Sequence, residues 1–371
     1  MDIRCNKYRK RVITLCITLL AVAAAGATAD EPDANSGAEE NLSRMITILH
    51  TNDLHGQLES WEGWEGEFKN HRAGGLDRLA VRIREARLAA VPDSVLLLDA
   101  GDTLGDTMIA EETEGRAIIE AMNVIGYDAM VIGNHEFDFT AGKLRTRIAE
   151  ARFPVLAANI TDRSSGELFT KPYVIVTLNR VRIGILGLAY PNTPLTTARK
   201  NVNNLRFGDP VKSARTYVPL MRREGAQIVI ALTHLGLSAD QELAQNVDGI
   251  DVIVGGHSHN RMREALQVRQ TLIVQAGAHG SDLGQLDLHI LNGRITAHRR
   301  TLIPITDETP AGSLAKLIER QREPYEQKME ASVGRALTLI PRAQTLAGQE
   351  PEKRDAEWPA EELFAEGSRA T

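Results

Sequence analysis

The sequence predicts an α/β fold, and two patterns in it support this prediction. Apolar runs such as "MITILHT", "VLLLDA", "AMVIG" and "IVIALT" alternate with helix-like stretches. Continuous rather than alternating apolar runs are typical of strands that are buried on both faces of a mainly parallel sheet. Late in the chain, "LDLHILNGRITAH" places Asn292 and Gly293 between two strand-like segments, which predicts an antiparallel hairpin.

Helix ends are indicated by capping residues. "GGLDRLAVRIREARLAA" has leucine and isoleucine at helical spacing between the first two strands. A later helix is predicted to start after Asp209 as N-cap, with Pro210 in its first turn, and to run to about Glu224. "SADQ" at 238–241 has the pattern of a capping box, which predicts that a short helix begins there.

Composition divides the chain into five parts. Residues 1–29 combine a basic start, an apolar run of about 14 residues and "ATA", which is typical of a signal peptide and too short to span a bilayer. Residues 30–43 are polar and acidic and are expected to be a disordered leader. The α/β pattern covers 44–305, a charged linker helix is expected over 306–340, and 341–371 are expected to be a disordered tail.

Charge and cysteine content narrow the classes of function. The formal charge of −6 argues against a protein that binds nucleic acid polymers by electrostatic attraction. Cleavage of the signal peptide would remove both cysteines, Cys5 and Cys16, so no disulfide is expected in the mature protein. The sequence therefore predicts an exported protein, periplasmic or secreted, without stable membrane insertion after cleavage. Its oligomeric state is left open.

Side chains of types that commonly bind metal ions follow five of the predicted strands. They are Asp53 and His55, then Asp102, then Asn134 and His135, then His234, and finally His257 and His259. Taken singly, "DLH" could be an ordinary turn and His234 a hydrogen-bonded core histidine. Because sites in open α/β sheets form at the carboxyl ends of strands, five such strand ends in one chain indicate a single site.

The ligand types favour a two-metal centre. Oxygen and imidazole donors without thiolate suit Zn²⁺, Mn²⁺, Co²⁺ or Fe²⁺ and not a thiolate-bound structural zinc. Even six or seven donors from this set are too many for one tetrahedral ion. They suit two ions roughly 3.5–4 Å apart that share a carboxylate, an arrangement used for phosphoryl displacement.

Five motifs carry a family resemblance. "TNDLHG", "DAGDTLGDT", "GNHEFD", "THLG" and "GGHSH" match, in this order, the motifs of the calcineurin-like metallophosphoesterases. The chain most resembles the bacterial periplasmic 5′-nucleotidase and UDP-sugar hydrolase branch, over roughly residues 45–305. The resemblance implies a β-sandwich flanked by helices, with four layers in the order α-β-β-α, and makes 44–305 the catalytic domain.

The resemblance also assigns roles to individual residues. It implies that one metal is held by Asp53, His55 and His259, that the other is held by Asn134, His234 and His257, and that Asp102 bridges both. His135 and Asp138 are implied to form a catalytic pair beside the metals. Glu136 is given no catalytic role and is expected to hydrogen-bond nearby loops.

The implied activity is two-metal-dependent hydrolysis of phosphoesters by a hydroxide between the ions. The expected substrates are small molecules, above all nucleotides, as for a 5′-nucleotidase, UDP-sugar hydrolase or 2′,3′-cyclic phosphodiesterase. Two alternatives are a thiosulfohydrolase of the same superfamily and a truncated metal-binding product with little activity. Metal-dependent hydrolysis of a phosphoester panel would separate the lead from the second alternative.

Recognition of the nucleobase is a separate question from the chemistry. In the family, a linker helix leads to a second domain whose paired aromatics stack the base, and residues 341–371 do not resemble its start. We therefore expect the nucleotide-specificity domain to be missing and base discrimination to be poor. Trp61 and Trp64 could stack a base instead. A loop packed on its own aromatics is the favoured interpretation.

Two positions near the motifs depart from the family pattern. Thr140 stands where the family often has glycine, and Asp106 stands where a small hydroxyl residue or proline is common. An added carboxylate could weaken phosphate binding or simply face water. We expect neither departure to affect the site.

Overall fold

A computed structural model describes residues 43–62, 68–69, 71–306 and 314–322 of the chain. The predicted signal peptide, nearly all of the leader and the tail lie outside the described residues. No helix within these ranges has both the length and the apolar character needed to cross a bilayer.

Strands and helices alternate along the described chain. The strands are β1 (Arg44–Thr51), β2 (Trp61–Glu62), β3 (Arg72–Ala73), β4 (Val95–Asp99), β5 (Ala129–Val131), β6 (Val155–Leu156), β7 (Ile160–Asp162), β8 (Tyr173–Leu178), β9 (Val181–Leu188), β10 (Leu205–Phe207), β11 (Ile228–Thr233), β12 (Val252–Val254), β13 (Leu266–Val268), β14 (Thr271–Val274), β15 (Asp282–Leu291) and β16 (Arg294–Pro304). The helices are α1 (Leu76–Ala89), α2 (Met108–Thr113), α3 (Arg116–Ile125), α4 (Ala141–Glu150), α5 (Thr193–Thr196), α6 (Arg199–Val202), α7 (Pro210–Arg223) and α8 (Leu237–Asn246).

Two six-stranded sheets form the centre of the fold. The first has the order β16-β15-β1-β4-β5-β6, and the second has the order β13-β14-β12-β11-β9-β8. Each contains a run of four parallel strands, which are β1, β4, β5 and β6 in the first sheet and β9, β11, β12 and β14 in the second. The β15–β16 hairpin pairs antiparallel at one edge and turns at Asn292 and Gly293, as predicted.

Alternate residues of the central strands face different layers. In β1, Ile46 and Ile48 pack between the two sheets, whereas Leu49 packs with the helices α1, α3 and α4. In β11, Ile230 faces the space between the sheets, whereas Val229 packs with α7 and α8. This period of two over strands buried on both faces produces the four layers α-β-β-α. The predicted fold class is confirmed.

Helix starts show where capping patterns succeed and fail. The Asp209 side chain accepts the N–H groups of Val211 and Lys212, so α7 begins as predicted. The prediction that a capping box at 238–241 starts a helix is wrong, because α8 begins at Leu237. The residue before it is Gly236, whose φ is 87°. The Leu237 N–H donates to the Ser258 hydroxyl at 3.0 Å, so an acceptor distant in sequence replaces a local cap.

Part of the predicted linker helix packs on the first layer. Residues 315–322 are helical, and Leu314, Leu317 and Ile318 are buried in the cluster that contains α1. The Leu314 N–H donates to Asp77 Oδ1 at 2.9 Å. This segment therefore extends the helical layer outside the first sheet.

Thr140 occupies a backbone conformation that suits glycine. Its φ is 111°, which is an outlier for a β-branched residue. Its hydroxyl accepts the Lys143 N–H at 3.2 Å and so caps α4. The residue thus combines a favourable cap with a strained backbone, and the departure from the family pattern has a structural consequence.

We expect Thr140→Gly to raise the free energy of unfolding by about 1 kcal/mol in urea denaturation. Relief of roughly 1–3 kcal/mol of backbone strain should exceed the small loss from replacing a threonine cap with glycine and the added entropy of the unfolded chain. Thr140→Ala is the matched control, because it removes the cap and keeps the strain, and it should lower stability by about 1 kcal/mol. Equal destabilisation by both substitutions would contradict this account.

Candidate functional site

The loops that follow β1, β4 and β12 share an unusual backbone conformation. Asp53, His55, Asp102, His257 and His259 all have φ between 48° and 75°. Left-handed backbone at residues other than glycine is strained and tends to cluster at functional sites. The sharp turns lie at the carboxyl ends of these strands, where the sequence predicts a site.

Backbone hydrogen bonds hold these loops against each other. The Asp53 N–H donates to the Gly101 carbonyl at 2.8 Å, and the His55 N–H donates to the Asp102 carbonyl at 2.9 Å. The Asp53 carboxylate in turn accepts the His257 N–H at 3.0 Å. Asp53 therefore joins a loop of the first sheet to a loop of the second.

One group of candidate ligands consists of Asp53, His55 and His259. Their ligand atoms lie within 4.8 Å of one another. His259 Nε2 is 3.2 Å from Asp53 Oδ1 and 3.1 Å from His55 Nε2. Two imidazole nitrogens and a carboxylate oxygen thus converge, which is a suitable arrangement for a divalent cation.

A second group consists of Asp102, His234 and His257, whose ligand atoms also lie within 4.8 Å of one another. His234 Nε2 is 2.9 Å from Asp102 Oδ2, while its Nδ1–H donates to the Ala100 carbonyl at 2.7 Å. Burial opposes charge on His234, but the Asp102 carboxylate more than offsets it and raises the pKa of His234 to about 10. The carboxylates therefore make this buried position favourable for positive charge.

Among the candidate ligands, three buried polar atoms lack an aligned hydrogen bond. They are Asn134 Oδ1, His55 Nδ1 and His234 Nε2, the last of which lies 2.9 Å from Asp102 Oδ2. Most buried polar atoms in proteins are satisfied, so such atoms need an explanation. Oxygen and nitrogen donors of this kind fit a borderline or hard divalent ion. The residues present therefore fit the metals that the sequence predicts.

The predicted catalytic pair is formed at the end of β5. His135 opens a short 3₁₀ turn, His135–Phe137, and its Nδ1 lies 2.7 Å from Asp138 Oδ2. That hydrogen bond raises the pKa of His135 to about 9 despite partial burial. The backbone N–H of His135 also donates to Asp102 Oδ1 at 2.8 Å, and this hydrogen bond fixes the pair beside the second ligand group.

Glu136 is the buried acceptor that joins two of the loops. Its Oε2 accepts the N–H groups of Gly133 at 2.6 Å and Asp102 at 3.0 Å. Its Oε1 accepts those of Thr103 at 2.6 Å and Leu104 at 3.2 Å. The expected loop hydrogen bonds are present, and they tie the turn after β4 to the turn after β5.

Asp106 does not simply face water, so that expectation is wrong. Its Oδ2 lies 2.6 Å from His55 Nδ1, and its Oδ1 lies 3.5 Å from His135 Nδ1. Asp106 lies in a loop several residues after β4, where no strand end predicts proximity to a site. Its left-handed backbone, with φ of 72°, directs the carboxylate back towards the histidines.

Two further rings at the site were not given a role from the sequence. The His279 ring lies 5.1 Å from that of His55, and the backbone N–H of His279 donates to the Asp53 carbonyl at 2.7 Å. Burial and the neighbouring His55 lower the pKa of His279 to about 4, which keeps it neutral. Tyr190 lies against His257 with ring centroids 4.2 Å apart. Both contacts depend on loops that meet only in the folded chain.

Trp61 packs against its neighbours at the edge of the site. Its Nε1–H donates to the His279 carbonyl at 3.1 Å, and its ring lies 6.0 Å from Phe68. Trp64 lies outside the described residues. A role for either tryptophan in stacking a nucleobase stays a prediction.

The calcineurin-like phosphoesterase profile matches residues 46–261, more than half of the chain. The chain belongs to this family. A snake venom 5′-nucleotidase from Gloydius brevicauda is 35% identical over 267 residues, which are 66% of this chain and 45% of that protein. Protein UshA of Escherichia coli is 30% identical over 297 residues, or 72% of this chain and 53% of that protein.

Solved structures show the same phosphoesterase fold. A 5′-nucleotidase precursor from Thermus thermophilus matches with a TM-score of 0.68 and 29% identity, over 77% of this chain and 60% of that one. The chain thus spans about half the length of the curated relatives that it matches. The family resemblance stated from the five motifs is confirmed.

We expect Glu136→Gln to lower the free energy of unfolding by at least about 2 kcal/mol. The amide has one acceptor oxygen, so its NH₂ group would face two buried N–H donors that lose their partner. Urea denaturation in the presence of a chelator would measure the change without a contribution from bound metal.

Glu114→Gln is the matched control for this substitution. Glu114 forms an exposed ion pair with Lys143 at 2.6 Å, and such pairs contribute less than about 1 kcal/mol. Similar losses in the free energy of unfolding for Glu136→Gln and Glu114→Gln would show that the four hydrogen bonds to the Glu136 carboxylate do not hold the loops.

Proposed function

We propose that the protein is a metal-dependent hydrolase of small phosphate esters, with nucleotides as the main substrate class. The observation that carries the proposal is the convergence of two donor groups, Asp53-His55-His259 and Asp102-His234-His257, at the carboxyl ends of strands in both sheets. Membership of the phosphoesterase family and the names of its relatives, 5′-nucleotidases and UshA, support the reaction class.

In this proposal two ions occupy the site. One would be held by Asp53, His55 and His259, the other by Asn134, His234 and His257, with Asp102 between them. When bound, divalent ions lower the pKa of water and neutralise charge on phosphoryl oxygens. The donor set suits Zn²⁺, Mn²⁺, Co²⁺ or Fe²⁺.

His135 would act on the substrate directly. Its Nδ1 is occupied by Asp138, which leaves Nε2 as the nitrogen available to a phosphoryl or leaving oxygen. A histidine whose pKa is raised favours the cationic form, which can stabilise developing charge and donate a proton to the leaving ester oxygen. Asp138 would keep the ring oriented and support its charge.

The substrate is proposed to be a small molecule that the protein meets outside the cytoplasm. The formal charge of −6 disfavours polyanions bound by long-range attraction, whereas a local cation pair can bind one phosphate. The basic and apolar pattern of residues 1–29 supports export to the periplasm or medium.

We expect hydrolysis to disappear when the purified chain is stripped of metal and to return when Zn²⁺, Mn²⁺, Co²⁺ or Fe²⁺ is added back. The panel would contain AMP, UDP-glucose, 2′,3′-cyclic AMP and bis(p-nitrophenyl) phosphate, with release of product as the measurement. A chain that binds two metals and hydrolyses none of the four would instead be a metal-binding module.

We expect His135→Ala and Asn134→Ala to separate catalysis from metal binding. His135→Ala should lower kcat by about 10²–10⁴, the usual contribution of a positioned acid or base, and should leave two metals bound. Asn134→Ala should weaken one metal, and its activity should recover in part as the metal concentration rises.

Metal content by elemental analysis and kcat at several metal concentrations would distinguish the two variants. If both variants lose the same metal, or if both retain two metals with the same loss of kcat, the roles assigned to His135 and Asn134 are wrong.

A further inference from the structure

Asp106 is an acidic residue of the described site to which the family resemblance assigns no role. It lies between two imidazoles, with Oδ2 2.6 Å from His55 Nδ1 and Oδ1 3.5 Å from His135 Nδ1. The two rings lie edge to face with centroids 5.0 Å apart. A single carboxylate therefore contacts both a candidate metal ligand and the candidate catalytic histidine.

The orientation of the His55 ring determines which of its nitrogens Asp106 contacts and which remains for metal binding. Its Nε2 faces the other donors, at 3.1 Å from His259 Nε2 and 3.9 Å from Asp53 Oδ1. Its Nδ1 points the other way, and it is buried without an aligned hydrogen bond. The Asp106 oxygen is the nearby acceptor for this nitrogen, and the Asp106 side chain is 47% exposed, so it has room to improve the angle.

Acceptors of this kind have a general effect on metal-binding histidines. A carboxylate on one ring nitrogen fixes the tautomer, orients the ring and raises the basicity of the other nitrogen. Asp106 stands in that position for His55.

The Nδ1 atom of His135 also faces carboxylate oxygens. Asp138 lies at 2.7 Å and Asp106 at 3.5 Å from this nitrogen. Both carboxylates thus face the Nδ1 side of the ring, opposite its Nε2. Asp106 therefore faces the rear of both histidines and not the ligand nitrogens.

We propose that Asp106 is a positioning residue that holds His55 for metal binding and His135 for catalysis from a single carboxylate. The proposal rests on the proposed metal centre. It assigns a function to a position at which this chain departs from its family pattern. Asp106 would act through the two imidazoles without touching metal or substrate.

Three variants test this role. Asp106→Ala removes the acceptor, and Asp106→Asn keeps an acceptor oxygen without the charge. Glu111→Gln is the control, because Glu111 is an exposed acid on α2 whose pKa is raised by partial burial and by the charges of Asp138 and Asp106. It removes a nearby negative charge without removing the contact to His55.

The first measurement is the affinity of each metal-free variant for Zn²⁺ and Mn²⁺, by competition with a chromophoric chelator. We expect Asp106→Ala to weaken one of two ions about 10- to 100-fold, as is usual when the outer partner of a metal-binding histidine is lost. Asp106→Asn should recover much of this affinity, and Glu111→Gln should bind as the parent does.

The second measurement is kcat and KM for AMP and bis(p-nitrophenyl) phosphate at saturating metal. We expect Asp106→Ala to lower kcat for both with little change in KM, because His135 loses one of the two carboxylates that face its Nδ1. Circular dichroism would check that the variant is folded. The affinity measurement needs no hydrolysis, so an inactive parent would refute the proposed function while the affinities still decide the role of Asp106.

Four results would overturn the positioning role. Unchanged metal affinity in Asp106→Ala would show that the contact to His55 has no effect. Loss of one metal from both Asp106 variants at any accessible concentration would make Asp106 a direct ligand. Higher kcat/KM for AMP with unchanged metal affinity would mean that it repels the phosphate. Equal weakening by Glu111→Gln would reduce the effect to general charge.

Discussion

The candidate site depends on hydrogen bonds that hold strained loops in place at the ends of the central strands. Left-handed turns direct Asp53, Asp102 and His257 into one space, and each such turn is unfavourable in isolation. The Glu136 carboxylate fixes the turns after β4 and β5 by accepting four N–H groups. Asp53 joins the first sheet to the second through the His257 N–H. Local strain is therefore balanced by contacts between loops distant in sequence.

The sandwich explains why these loops can meet at all. The parallel strands β1, β4 and β5 of the first sheet, and β11 and β12 of the second, end at the same site. Side chains on alternate positions pack between the sheets, so the distance between the two sets of loops is fixed by the apolar core. A rigid core of this kind can hold ligands near the geometry that metal binding requires.

Prediction from the sequence succeeded where residues follow the ends of strands. The fold class, the hairpin turn and the Asp209 cap follow from local patterns in the sequence. The rule that parallel strand ends share one edge of a sheet predicted which candidate ligands lie close together, namely Asp53, His55, Asp102, His234, His257 and His259. Asp106 was misjudged because its contact with His55 depends on the path of a loop.

The capping box at 238–241 failed for a related reason, since the acceptor for Leu237 comes from Ser258. Thr140 and His279 likewise acquire their properties from backbone angles and from neighbouring loops. None of these three features, at Leu237, Thr140 and His279, leaves a periodic pattern in the sequence. What the sequence did not predict is therefore the set of backbone angles and loop contacts that arise only in the folded chain.

The same features imply that metal binding and folding are coupled in this site. Asn134 Oδ1 and His234 Nε2 are buried without hydrogen bonds, and two carboxylates lie within the donor groups. Each such atom costs free energy in the folded chain, and a cation bound at the proposed metal centre would remove that cost. An ion that binds the folded site in preference to the unfolded chain stabilises the fold by mass action. In the proposed metal centre, the same buried polar atoms would link affinity for a divalent ion to the stability of the fold.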